Sequence, residues 1–348
     1  MALQLAAIGL GGLGRIQSDV CTDIDGVELV AGADIAPESR ESFETEFGVP
    51  TYEDYHELLD EHADELDAVN IVTPHTLHFE QTMDCLDAGL HVHLEKPMVT
   101  TTADALELID HARERNLLLQ IGYQRHFHPA YREIKRLLEN GRIGDVHMVA
   151  AHLAQDWIRN VGGTWRTNPE LSGGGQLIDS GSHLLDVVLW ATDSQPRSVA
   201  ALTDNWEQAV DVNSALSVEL ESDQRRITAS IGISGDGDSF EEQLSFWGTE
   251  GRLAYEDGEL LVVENGTRYV TEFEDPDYAK LTGDKLGAFV EAVQNGDPSP
   301  VPGEFGLRVT RLTEAAFLSS ETGAVIDAAS LPRTGAEPTV ADVPEADL

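Results

Sequence analysis

The chain of 348 residues carries 63 Asp and Glu against 22 Lys and Arg, which gives a formal charge of -41 and a pI near 4.3. So negative a surface repels phosphate backbones and anionic headgroups, excluding nucleic acid and membrane surfaces as partners. A hydrophobic content of 41% with five Trp and ten Phe excludes intrinsic disorder.

Acid runs along the whole chain rather than in one block. The charge therefore reads as adaptation to concentrated salt, where the Debye length shrinks to about 3 Å at 1 M; the competing reading is an acidic patch for a basic partner. The only lysines are Lys96, Lys135, Lys280 and Lys285, and every other fixed cation is Arg. Cys21 and Cys85 make no disulfide framework and no CxxC pair. With no basic leader before the first apolar run and no stretch of eighteen apolar residues, a soluble cytoplasmic protein is expected.

In chain order, Leu3 to Gly9, Val27 to Ala33, Ala68 to Val72, His91 to Leu94 and Leu118 to Gly122 read as short, continuously apolar strands. Helical patterns at Arg15 to Cys21, Ser39 to Phe47, Leu77 to Ala88 and Thr102 to Arg115 alternate with them. That succession predicts an α/β domain, a doubly wound parallel sheet over residues 1–123 with its ligand edge at the carboxyl ends of the strands. A second domain is expected over residues 124–330. It begins with a helix from Pro129 to Asn140 and a strand from Val146 to Leu153, then a Gly-rich loop from Val161 to Gly175 and a helix from Gln176 to Trp190. Strands at Val199 to Leu202, Ala215 to Glu221, Ile227 to Ile233, Gln243 to Trp247 and Leu260 to Glu264, closed by Gly and Asn-Gly turns, predict an antiparallel meander. Late helices, Tyr278 to Val293 and Glu304 to Glu321, are expected to cover one face. Residues 331–348, acidic and Pro-punctuated, read as a loose tail.

Gly9-Leu10-Gly11-Gly12-Leu13-Gly14 follows the first strand and opens the first helix, the context that a dinucleotide fingerprint requires. Asp34 ends the second strand twenty residues later, where a carboxylate bonds ribose hydroxyls and repels a 2′-phosphate, favouring NAD over NADP. Thr73-Pro74-His75 and Glu95-Lys96-Pro97 end two further strands on the same edge. Lys96 stands out because the chain has discarded most lysines: a compact ammonium that can be partly desolvated suits proton relay or alkoxide stabilisation. Its bland alternative is an exposed solubilising Lys. Asp179 and His183 are four apart and, on a helix, would share a face behind the glycine run Gly173 to Gly175. A His is the natural base for a hydroxyl proton near neutral pH, and a neighbouring carboxylate can orient it; the alternative is a pair bracing the helix. Asp186 is expected behind them. Trp157, Trp165 and Arg166 either close over a ligand or pack at the core rim. His91 and His93 share a strand face, but no third ligand with zinc spacing accompanies them, so no metal is expected.

Together these residues resemble the Gfo/Idh/MocA oxidoreductases, the group of glucose-fructose oxidoreductase and inositol 2-dehydrogenase, over about residues 3–327. The matching elements are GLGGLG at Gly9, VTPHTLH from Val72, EKP at Glu95, GYQR from Gly122, WR at Trp165 and the GGGxxxDxGxHxxD run from Gly173 to Asp186. The resemblance implies an N-terminal Rossmann domain and a C-terminal α+β domain with a large, open, mostly antiparallel sheet that builds homodimers or homotetramers. It implies catalysis by Lys96, Asp179 and His183. NAD would be held by Gly9, Gly11, Gly12, Leu13, Gly14, Asp34 and Ile35, with Thr73, Pro74, His75 and His78 lining its ribose and nicotinamide side and Glu95 and Lys96 beside the nicotinamide ribose. Arg125 and Arg166 would touch cofactor or substrate, and Tyr123, Trp157 and Trp165 would join the catalytic three around the substrate. His75 departs from the Asn commoner in the family. The lack of a long N-terminal arm argues against the exported, NADP-holding type. The implied activity is NAD-dependent oxidation of a secondary alcohol or hemiacetal of a sugar, inositol or related polyol. The alternatives are a hydrolase or lyase that recycles NAD, and a non-catalytic NAD-binding sensor.

Overall fold

The computed structural model describes residues 2–223 and 225–331, which fall into two compact units. The first gathers the residues up to Val99, Asp104–Phe127 and Pro276–Gly306; the second gathers Thr100–Ala103, His128–Asp275 and the residues from Leu307 on.

The first unit is built on β1 (Leu3–Ile8), β2 (Val27–Ala33), β3 (Thr51–Tyr52), β4 (Ala68–Ile71), β5 (His91–Leu94) and β6 (Leu119–Ile121). They form one sheet in the order β3-β2-β1-β4-β5-β6 with every neighbour parallel. The order reverses between β1 and β4, which makes the crevice beyond their carboxyl ends the expected ligand position. Burial on both faces explains the continuous apolar runs. The helices are α1 (Gly12–Thr22), α2 (Pro37–Phe47), α3 (Tyr55–His62), α4 (His78–Asp87) and α5 (Thr102–Arg115). The strands and helices recovered here match the expected ones within a few residues at each end, but α3 and β3 were not expected. Helix α3 is mostly polar and buries only Leu58 and Leu59; its legible signal was Asp54, whose carboxylate caps the helix by accepting from His56 N at 3.0 Å.

The second unit begins with α6 (Pro129–Glu139), β7 (Val146–Ala154), α7 (Trp157–Val161), α8 (Pro169–Ser172) and α9 (Gly181–Ala191). Strands β8 (Gln195–Asp204), β9 (Asn213–Glu221), β10 (Arg226–Ser234), β11 (Glu241–Gly248), β12 (Gly251–Glu256), β13 (Glu259–Glu264), β14 (Thr267–Glu272) and β15 (Ile326–Asp327) complete it. The nine-stranded sheet runs β14-β13-β12-β11-β7-β10-β9-β8-β15, antiparallel throughout except for the β7 and β10 pair. Leu216, Val218, Leu220, Ile227, Ala229, Ile231, Ile233, Leu244 and Phe246 are buried while their alternates are mostly exposed. That period of two is the mark of a sheet covered on one face, and β14 is exposed at all six positions.

Three expectations are corrected. The helix after the glycine run begins at Gly181, not Gln176, because Gly181 N bonds Gln176 O five residues back and residues 176–180 form a widened turn. The Gly-rich loop contains α8 and a single tight turn of helix at Trp165–Thr167. The late helix α10 (Tyr278–Asn295) belongs to the first unit, where its Leu286, Phe289 and Val290 pack with Leu3, Leu5, Cys21 and Ala68. Helix α11 (Gly303–Thr322) follows. Of the acidic tail expected over 331–348, residues 332–348 lie outside the described residues.

Candidate active site

The glycine turn follows from β1 and α1 directly. Gly9 has φ +92°, and a Cβ there would come within 2.4 Å of Val72 O; a Cβ on Gly14 would stand 1.8 Å from Gly9 O. Both positions therefore admit only glycine. Gly11 precedes the first turn of α1, and a Cβ on Gly11 or Gly12 would meet no heavy atom within 4 Å. The helix N-terminus, with its outward N–H groups, is thus open on the side where a pyrophosphate would lie. Asp34 is fixed at the end of β2, its two carboxylate oxygens accepting from Leu10 N at 2.7 Å and Ala36 N at 2.8 Å. Arg40, the nearby cation, donates to the carbonyl oxygens of Asp34 and Ile35 and lies 3.4 Å from Glu53. Ile35 is 84% exposed, an apolar surface at that edge. These features fit a bound dinucleotide.

Beyond β4 and β5 the edge is braced from inside. His78 is wholly buried, and its ring nitrogens face Pro97 O at 2.8 Å and Thr73 O at 3.0 Å. Burial holds its imidazole below the ordinary value despite those carbonyls. His78 is therefore a brace between two turns and not the cofactor contact expected of it. Thr73 Oγ1 donates to Gln81 at 2.5 Å. The peptide between Lys96 and Pro97 is cis.

Under the β5 turn runs a buried polar chain. His93 Nδ1 bonds Asn70 Oδ1 at 2.7 Å, Asn70 donates to Gln17 Oε1 at 3.1 Å, and Gln17 donates to Glu95 Oε1 at 2.6 Å. Lys285 of α10 donates to the same oxygen, and the Lys96 backbone N–H donates to Glu95 Oε2 at 3.1 Å. Burial, the largest single influence, opposes the Glu95 charge, but Lys285 together with His93 and Lys96 outweighs it and keeps the carboxyl below its usual range. Burial, reinforced by Lys285, drives His93 down to about 3. Gly122 makes room for Glu95, since a Cβ there would lie 2.8 Å from its carboxylate. Tyr123 is fully buried beside it, so it supports the site rather than offering a surface to substrate.

In the second unit, the Asp179 carboxylate is buried, with Trp157 and Arg166 among its partners. Trp157 Nε1 donates to Asp179 Oδ2 at 2.8 Å, and Arg166 Nε lies 3.3 Å from the same oxygen while its guanidinium sits over the Trp165 ring at 4.5 Å. Trp157, 2% exposed, is thus an anchor for Asp179 and not a substrate surface. The expectation of a shared helix face fails: Asp179 belongs to the widened turn and His183 to the first turn of α9, half-buried. Asp211 was missed by sequence reasoning. It accepts from Gly175 N at 2.7 Å and Leu177 N at 2.8 Å, pinning the glycine run, and a Cβ on Gly175 would reach within 1.9 Å of its carbonyl. The isolated DV pair at Asp211-Val212 offered no pattern to find it.

A parallel sheet in this order with an open glycine turn and a fixed strand-end carboxylate defines a dinucleotide-binding domain. Residues 3–123 match the model of the oxidoreductase family with an NAD-binding Rossmann fold, and residues 131–254 match the C-terminal domain model of the same family. The chain belongs to the GFO/IDH/MocA oxidoreductases. It is 25% identical to a myo-inositol 2-dehydrogenase of Thermotoga maritima over 92% of this chain and 96% of that one. It is also 25% identical to an NADP(+) D-xylose 1-dehydrogenase of Haloarcula marismortui over 84% and 82%. An Agrobacterium radiobacter oxidoreductase, solved with NAD+, L-tartaric acid and magnesium, shares the fold with a TM-score of 0.84 at 17% identity, over 95% of this chain and all of that one. No helix among the described residues is long and apolar enough to cross a membrane.

Proposed function

We propose that the protein is an NAD-dependent dehydrogenase that oxidises a secondary alcohol or hemiacetal of a sugar, inositol or related polyol. The observation that carries the reading is the edge of the parallel sheet, where an open glycine turn, a fixed Asp34 and a half-buried Lys96 follow three strand ends. Relatives named for inositol and for sugars support the substrate class. Bound NAD would supply the hydride acceptor.

The protein's own residues then have separate tasks. Gly11 and Gly12 admit the pyrophosphate to the N-terminus of α1, and Asp34 accepts from the ribose hydroxyls while its charge disfavours a 2′-phosphate. A ring nitrogen of His183 takes the hydroxyl proton. Asp179, its carboxylate aimed by Trp157 and Arg166, orients His183 or the substrate. Lys96 stabilises the negative charge that develops on the substrate oxygen. Copies of the chain would associate through the open face of the nine-stranded sheet, which exposes Met148, Leu202 and Val270.

The test is a spectrophotometric screen for NADH formation with sugars, inositols and sugar acids in molar KCl. Net NADH with at least one polyol is expected. NAD binding with no turnover across the whole panel would identify a sensor instead, and product formed without net NADH would identify a recycled cofactor.

A further inference from the structure

Lys285 is one of four lysines in the chain and is 1% exposed on α10, where its ammonium meets Glu95. A buried ion pair is a weak source of stability, because desolvating both charges cancels most of their attraction. Its position gives a different reason for its presence. Glu95 immediately precedes Lys96, one of its oxygens accepts the Lys96 N–H, and the Lys96 charge also favours the ionised carboxylate. The groups facing Glu95 are Lys285 from α10, Gln17 from α1, Lys96 from its own turn and, farther off, His93 from β5, which burial keeps neutral. Of these groups, Lys96 is the cation placed to replace Lys285 as counter-ion.

We propose that Lys285 is a positioning residue that acts through Glu95: by neutralising that carboxylate from inside the first unit, it keeps the Lys96 ammonium from being drawn onto it. The chain from His93 through Asn70 and Gln17 points every hydrogen toward Glu95, so the carboxylate is held by α1 and α10 together. The N-terminal helix of the glycine turn and the Lys96 turn are thereby tied to one buried charge. The inference rests on the reading of Lys96 as the group that stabilises substrate charge.

The experiment compares wild type, Lys285→Met and Glu95→Gln/Lys285→Met in molar KCl, from neutral to alkaline pH. In Lys285→Met the unneutralised Glu95 captures Lys96: kcat at neutral pH falls at least about tenfold, KM for NAD stays within about twofold, and the alkaline limb moves up by about one unit, the effect of a new opposite charge nearby. In the double variant, which buries a neutral pair, most of the lost kcat returns and the limb moves back. Lys285→Gln makes the same comparison if Lys285→Met is not recovered folded. Unchanged kcat in Lys285→Met, or an equal loss in the double variant, overturns the inference. An active Lys96→Ala enzyme overturns the underlying reading of the site instead, so the two failures are distinguishable.

Discussion

Asp34 is held by two backbone N–H groups, and the guanidinium of Arg40 is engaged with carbonyls and Glu53. The carboxylate should therefore set cofactor choice. Replacing Asp34 with Ser should weaken NAD and relieve the repulsion of NADP, moving the ratio of kcat/KM for the two cofactors toward NADP by about tenfold, the equivalent of one lost hydrogen bond of the charged kind. An unchanged ratio would remove Asp34 from the specificity argument. His93 makes a second residue-scale prediction. Its folded pKa of about 3 lies below the ordinary imidazole value of 6.5, so unfolding takes up a proton and the associated stability, full above 6.5, is lost as pH falls toward 3. His78 and His91, also lowered, act in the same direction, while Glu95, lowered from 4.5 to about 2, adds to the loss only at more acid pH. Denaturant titrations between pH 6.5 and 5 should show falling stability in the wild type and a shallower fall in His93→Gln; equal slopes would refute the assignment.

At the scale of elements, α10 is the clearest test of how the first unit is made. Phe289 is 1% exposed in the cluster with Leu3, Leu5 and Ala68 and stands 5.7 Å from the His93 ring. Phe289→Ala should cost about 3–5 kcal/mol by leaving a cavity, measured by chemical denaturation. A cost below about 1 kcal/mol would mean that α10 does not complete this core. Sequence could not foresee that membership, because α10 lies far along the chain from the strands it covers. The same distance hid Lys285. The scarcity of lysine singled out Lys96 at a strand end but gave no reason to choose Lys285, whose partner Glu95 is 190 positions away. Local patterns fared better: the glycine turn, the strand-end Asp34 and the EKP turn were legible because each depends on a few consecutive residues. Asp179 shows the limit of periodicity. A spacing of four implies a shared face only in an α-helix, and the widened turn before Gly181 breaks that condition.

For the molecule as a whole, the charge of -41 argues for measurements in concentrated salt, where screening reduces self-repulsion. The proposal draws its cofactor residues and Lys96 from the first unit and Asp179 and His183 from the second. The most direct test of that division is NADH formation by Lys96→Ala and His183→Asn, using the polyol that the wild-type enzyme turns over fastest, with NAD binding followed in parallel by tryptophan fluorescence. Each variant should bind NAD within about threefold of wild type and lose at least about a hundredfold in turnover, the lower range for a removed acid-base group. Wild-type turnover in both would contradict the account.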